Sequence, residues 1–186
     1  MKTPEHPIFL ESVKHIRSKI GITGLDQVQQ SILERIIHSS GDFGLQSCVK
    51  FSPTACSDAI KALKNGATIL TDTYMAEAAI SPMAKRTLNS NIECILSMAP
   101  ASIDTSLTTR SAIGMKNKWL NFEDKDTINR SNTPLVVIGS SPTALISLLD
   151  LIEAGYKRPS LIIGMPVGFI GVNESKTRLV NSDCSY

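Results

Sequence analysis

His38 and Arg35 are the residues whose types and spacing best suit chemistry. Three positions apart, they are neighbours on one face of a helix. His38 follows the apolar stripe Leu25, Val28, Ile32, Leu33, Ile36 and Ile37, and a helix C-terminus favours a protonated imidazole. Histidine is also the side chain that titrates near neutral pH without special help. Two roles fit it: bonding the last carbonyls of its own helix, or exchanging a proton with a ligand. In the second role the fork of Arg35 could hold a ligand carboxylate. Arg35 could instead pair with Glu34 or Asp26. Arg110, in Thr108-Thr109-Arg110-Ser111, falls within a predicted helix and faces either solvent or a pocket. His6 and His15 read as surface positions. Nothing resembles a nucleophile elbow, and no pair of carboxylates stands apart from the charged helix faces.

A second chemical feature is the loop from Gly164 to Gly171, GMPVGFIG. It follows the short apolar run Leu161–Ile163 and precedes a polar helical run from Glu174 to Asn181, with Asn173 as the expected N-cap. Strand, glycine-rich loop and helix start together form the arrangement that open α/β sheets use to hold a ligand. The loop lacks the Gly-Lys-Ser/Thr ending of a nucleoside-triphosphate site, and its spacing is not a dinucleotide fingerprint.

Periodicity supplies the elements that must position these groups. Helices are expected over Pro7–Ile20, closed by Gly21, and over the stripe from Leu25 to Ile37, closed by Ser39-Ser40-Gly41. Cys48–Phe51 is a short strand candidate, and Ser52-Pro53 opens a helix running to Asn65. Strands at Ala67–Leu70, Asn91–Leu96, Leu135–Ile138 and Leu161–Ile163 then alternate with helices. Those helices are Thr73–Ile80, with Pro82 beyond it, about Ile103–Lys118, and Ser141–Glu153. Asn121–Asn132 reads as an exposed, mobile loop. This alternation predicts a three-layer α/β/α fold, flavodoxin-like or Rossmann-like, with a mostly parallel five-stranded sheet. Ligands of such sheets bind beyond the carboxyl ends of the strands. That rule gathers Thr71-Asp72-Thr73, Ser97-Met98, Gly139-Ser140-Ser141 and the glycine loop on one edge.

At 186 residues the chain suits a single domain. A net charge of +2, without a basic run interleaved with aromatics, gives no argument for nucleic acid. The N-terminus shows no apolar signal segment, and no window is long and apolar enough to span a membrane. Cys48, Cys56, Cys94 and Cys184 form no C-x-x-C pair and have no histidines at metal-site spacing. They read as small hydrophobes of a reducing cytoplasm, with no metal site implied.

The wording of several segments is more specific than their chemistry. Gly164 to Lys176, GMPVGFIGVNESK, closely resembles a loop of the precorrin-8X methylmutases, the precorrin isomerase family of corrin biosynthesis. Arg35-Ile36-Ile37-His38-Ser39-Ser40-Gly41 is similar to that family's Arg-x-Ile-His motif with small residues and glycine. Pro7 to Val13 resembles its opening helix. Leu70-Thr71-Asp72-Thr73-Tyr74-Met75 is similar to its Thr-Asp-Thr-x-Met motif, although Ala79 stands where glycine is usual. Thr109-Arg110-Ser111-Ala112 resembles its Thr-Arg-Ser/Ala segment. Gly139 to Leu145, GSSPTAL, resembles Gly-Asn-Ala-Pro-Thr-Ala-Leu. The resemblance runs from about residue 7 to residue 182 in the family's order.

The resemblance implies an isomerase, usually a homodimer, that works without a cofactor. Its substrate would be a polycarboxylated corrinoid tetrapyrrole, either metal-free or cobalt-containing. A methyl group would shift from a ring-junction carbon to the neighbouring carbon of ring C. The family's catalytic histidine falls on His38, and its substrate-contacting serine and arginine on Ser12 and Arg35; Arg110 is expected to bind substrate carboxylates as well. The competing expectation is a non-catalytic tetrapyrrole- or flavin-binding carrier. Family members continue with another strand, a basic glycine-rich turn and a closing helix. This sequence stops at Asp183–Tyr186, where that strand should begin. By that pattern the 186-residue form is expected to be truncated relative to its family, with reduced stability and little or no isomerase activity.

Overall fold

Alternation along three short strands, and their register, decide where the main core lies. The computed structural model describes residues 6–88, 90–102, 104, 108–124 and 133–186. They fall into two compact units, one ending at Phe51 and the other spanning Ser52–Tyr186.

The first unit pairs helix α1, Pro7–Ile20, with helix α2, Gln27–Ser40, followed by a 3-10 turn at Phe43–Ser47. Each end has a local cause. The His6 imidazole accepts the Ile8 amide ahead of Pro7, and Gly21 closes α1 at a φ of 65°. Asp26 caps α2 through the Val28 and Gln29 amides, while the Gln29 side chain accepts the Asp26 amide in return. Gly41 stops α2 in the left-handed conformation and donates to the Ile37 carbonyl at 2.8 Å. Ile16 and Ile20 meet Leu33 and Ile37 in a small buried cluster, flanked by Leu25 and Val49.

That cluster explains why Cys48–Phe51 is not the strand expected. The Cys48 and Val49 amides both donate to the Leu45 carbonyl, a local helical-type closure that directs Val49 to the helix pair. Four strands, rather than five, are therefore present among the described residues.

The second unit contains helix α3, Ala55–Lys64, then β1, Ile69–Thr71, helix α4, Tyr74–Thr87, and β2, Ile92–Cys94, which runs into a 3-10 turn at Ile95–Met98. Helix α5, Arg110–Asp124, β3, Leu135–Ile138, helix α6, Pro142–Glu153, β4, Leu161–Gly164, and helix α7, Val172–Val180, complete it. All pairings are parallel, in the order β2-β1-β3-β4. Leu70, Val136 and Ile162 lie side by side in register and join the buried residues of α5 and α6 on one face. Their neighbours Leu135 and Leu161 point the other way and meet Ala55, Ala59 and Ala62 of α3. Helix, sheet and helix form the expected three layers.

Several boundaries differ from those expected, each for a local reason. Ser52 does not cap α3. Its hydroxyl accepts the Tyr186 amide at 3.0 Å, and the helix starts after Thr54. α4 continues through Pro82 instead of ending before it. α5 starts after Thr109, whose hydroxyl accepts the Ala112 amide at 3.1 Å. It extends to Asp124, so the start of the expected loop Asn121–Asn132 is helical, and residues 125–132 lie outside the described residues. Residues 183–186 form no strand, yet the Ser185 carbonyl accepts the Ile162 amide at 2.8 Å and Cys184 is buried. No helix among the described residues is long and apolar enough to cross a membrane.

Candidate functional site

α1 and α2 present Ser12, Arg35 and His38 in the first unit. Ser12 and His38 line one shallow depression of about 370 Å³, together with His15, Ile16, Ile37 and Phe43. His15 lies three residues beyond Ser12 and therefore on the same face of α1. Its ring also stands 6.4 Å from that of Phe43. The i, i+3 spacing is the signal that could have drawn it into the site.

The carbonyls at the end of α2 do not engage His38 in the way one sequence reading allowed. Ser40 Oγ donates to the Ile36 carbonyl at 2.8 Å, and the Gly41 amide takes Ile37. The His38 imidazole instead stands edge-on to Phe9, with ring centroids 5.0 Å apart and planes at 85°. The Arg35 guanidinium lies 4.7 Å over the same ring. Phe9 thus joins the two residues by its face and its T-shaped contact. In the sequence it is only one apolar residue of the expected helix Pro7–Ile20.

Glu34, considered as a partner for Arg35, is buried and committed elsewhere. Arg17 donates to its two oxygens at 2.7 and 3.0 Å, and Gln30 donates at 2.9 Å. The hydrogen bonds from Arg17 hold the Glu34 carboxyl below the usual carboxylate range. Burial opposes this, while Gln30 and the Arg17 charge reinforce it. The pair ties α1 to α2 and thereby sets Phe9 and Ser12 against Arg35 and His38.

Arg110 is exposed at the first residue of α5, in the second unit, where its Nε donates to the Pro100 carbonyl at 3.1 Å. Four hydroxyls gather nearby at the starts of α5 and α6. Thr109 and Thr143 lie 2.7 Å apart, and Ser111 and Ser141 2.6 Å apart. Beneath them, one oxygen of buried Asp72 accepts the Ser140 and Ser141 amides at 2.7 and 2.8 Å. β1 and β3 are adjacent here while the chain leaves β1 for β2 on its other side. This is the switch point where such sheets place ligands.

The glycine-rich loop serves packing as well as any ligand. A side chain at Gly164 would run into Leu179 of α7. Gly171, at a φ of 73°, occupies the N-cap position expected of Asn173. The loop leaves Val167, Phe169 and Ile170 exposed. Among the described residues, no group of three or more His, Cys, Asp or Glu is placed to hold a metal ion.

Comparison with known proteins decides the family. The family model of precorrin-8X methylmutase matches residues 7–186. This chain belongs to the precorrin-8X methylmutase family. It is 34% identical to the cobalt-precorrin-8 methylmutase of Synechocystis sp., covering 97% of this chain and 84% of that protein. It is 33% identical to the precorrin-8X methylmutase of Pseudomonas aeruginosa, covering 92% and 79%. The crystal structure of the precorrin-8X methylmutase from Thermus thermophilus superposes with a TM-score of 0.79 at 27% identity, over 96% of this chain and 82% of that one. The methylmutase family is one of isomerases in cobalamin biosynthesis, and the fold and activity class expected from the sequence stand.

Proposed function

We propose that this methylmutase acts on precorrin-8X or its cobalt form, with His38 exchanging the proton that permits methyl migration. The observation that carries the reading is the site on α1 and α2. There His38 shares a depression with Ser12 and an aromatic neighbour with Arg35. The reaction needs no redox step. The bond from the methyl group to the ring-junction carbon breaks as the bond to the adjacent ring C carbon forms. The product is an isomer of the substrate. A proton lent to a ring nitrogen draws electron density across the conjugated system and is returned when the shift is complete. An imidazole exposed at a helix end suits such an exchange.

Arg35 and Arg110 hold substrate carboxylates, and Ser12 offers a hydroxyl beside the imidazole. A depression of about 370 Å³ admits one edge of a macrocycle, leaving its fringe of carboxylates to groups outside it. Residues 1–186 are read as one isomerase-type domain, in a cytoplasmic homodimer that requires no cofactor and binds neither nucleic acid nor membrane.

The test is anaerobic turnover of metal-free and cobalt-containing precorrin-8 by His38→Gln, followed by absorption spectra. Turnover should fall by about 10²–10⁴-fold, the usual contribution of a positioned acid–base group, while ring binding persists. Wild-type turnover in His38→Gln would sink this assignment. Binding without any spectral conversion, even by the wild type, would favour a carrier instead.

A further inference from the structure

We propose that Phe9 is the positioning residue of this site, fixing the imidazole of His38 and the guanidinium of Arg35 with one ring. The inference rests on the reading of His38 as the proton-exchanging group. Its basis is a pair of contacts that meet on a single side chain: a T-shaped contact to His38 at 5.0 Å and a cation–π contact to Arg35 at 4.7 Å. His38 is exposed at the end of α2, where a side chain samples several rotamers, and Arg35 is exposed one turn before it. Proton exchange with a ring nitrogen requires the imidazole to be aimed within hydrogen-bond reach before the substrate arrives. Phe9 is half-buried on α1, and α1 is fastened to α2 by the Arg17–Glu34 pair and by Ile16 against the α2 core. Its ring is therefore held by the packing of α1 on α2.

The electrostatics of the ring suit both neighbours. The negative face attracts the guanidinium, and the perpendicular arrangement is one of the two favoured for a pair of aromatic rings. The two contacts also couple the groups: a substrate carboxylate that draws Arg35 toward itself acts on the ring that orients His38. Phe9 touches neither the migrating methyl nor the proton.

The experiment compares Phe9→Leu and Phe9→Tyr with His38→Gln, all in the full chain. Turnover of metal-free and cobalt-containing precorrin-8 gives kcat and KM, and NMR follows the carbon-bound imidazole protons of His38. In Phe9→Leu, kcat should fall about tenfold, the scale of one lost aromatic contact. KM should rise by a smaller factor as Arg35 loses its ring, and the His38 signals should lose their ring-current displacement. Phe9→Tyr, which keeps the ring, should restore all three. Phe9→Met repeats the measurement with similar apolar bulk should leucine loosen the helix pair. A folded Leu or Met variant with wild-type kcat and KM overturns the proposal if His38→Gln is inactive. Active His38→Gln would instead overturn the role of His38, and unmoved His38 signals in Phe9→Leu would overturn the contact itself.

Discussion

The two units are stabilised by different means. The sheet unit buries a cluster that includes Trp119, Met115, Leu145, Leu148 and Val136, all with at most 1% of their surface exposed. The helix pair centres on Ile16, Ile20, Leu33 and Ile37, and adds a buried carboxylate bound by an arginine. The proposed proton-exchanging residue stands on the second kind of support. A thin apolar core with a polar fastening permits a local opening well below the global unfolding free energy, whereas a continuous parallel-sheet core opens only globally. The difference teaches that orientation of His38 depends on a few specific contacts, among them Phe9, Arg17 and Glu34, more than on the bulk of the molecule.

The strongest test of this contrast is a cavity in the sheet unit. Leu148, fully buried on α6, should cost about 2–5 kcal/mol when changed to alanine. Native-state hydrogen exchange should then show lower protection for amides of β1, β3 and α6. Amides of α1 and α2 should exchange as before, because their opening is already the easier one. A parallel loss of protection in both units would break the comparison.

A smaller effect, confined to the helix pair, is expected from Arg17→Met. The change leaves the Glu34 carboxylate buried with Gln30 as its remaining donor side chain in the network seen here. Desolvation of an unsatisfied polar group of this kind costs about 1–3 kcal/mol. Hydrogen exchange should quicken in α1 and α2 while β3 is unchanged, and kcat should fall as His38 and Phe9 lose their registration. Unchanged exchange in α2 would show that the apolar contacts alone hold the pair.

The same contrast governs how much could be read before the structure was known. α1, α2 and α6 were legible nearly to the residue, since Gly21, Gly41 and Ser141 end or start them by local backbone chemistry. Leu135–Ile138 and Leu161–Ile163 were legible because both are short continuous apolar runs, the pattern of parallel-sheet strands. Non-local competition obscured the rest. Ser52 looks like an N-cap until Tyr186 takes its hydroxyl, and Val49 looks like a strand residue until it packs on the helix pair. Pro82 looks like a terminator, but α4 continues past it. At the site, Arg35 and His38 were visible as an i, i+3 pair. The choice of Phe9 and Arg17 as their supports depends on how α1 crosses α2, which no spacing within either helix encodes.

The mildest perturbation is protonation, and its sign follows from Glu34. Arg17 holds the folded-state carboxyl below its ordinary value, first by hydrogen bonding and also by charge. The folded helix pair therefore binds its proton less readily than the unfolded chain does. The stability contributed by this pair is fully present above the ordinary value of 4.5 and is lost as pH falls below it through the depressed folded-state value. Lowering the pH from about 6 to about 3 should thus reduce the opening free energy of α1 and α2, measured by amide NMR, more steeply than that of β1 and β3. Glu34→Gln keeps the shape of the side chain and removes its titration. Its helix pair should be weaker near neutral pH, because the charge-assisted bonds from Arg17 are gone, and flatter across the acid window. If wild type and Glu34→Gln lose stability in parallel as the pH falls, other carboxylates carry the acid response, and the Arg17–Glu34 pair is not the fastening that distinguishes this unit from the sheet.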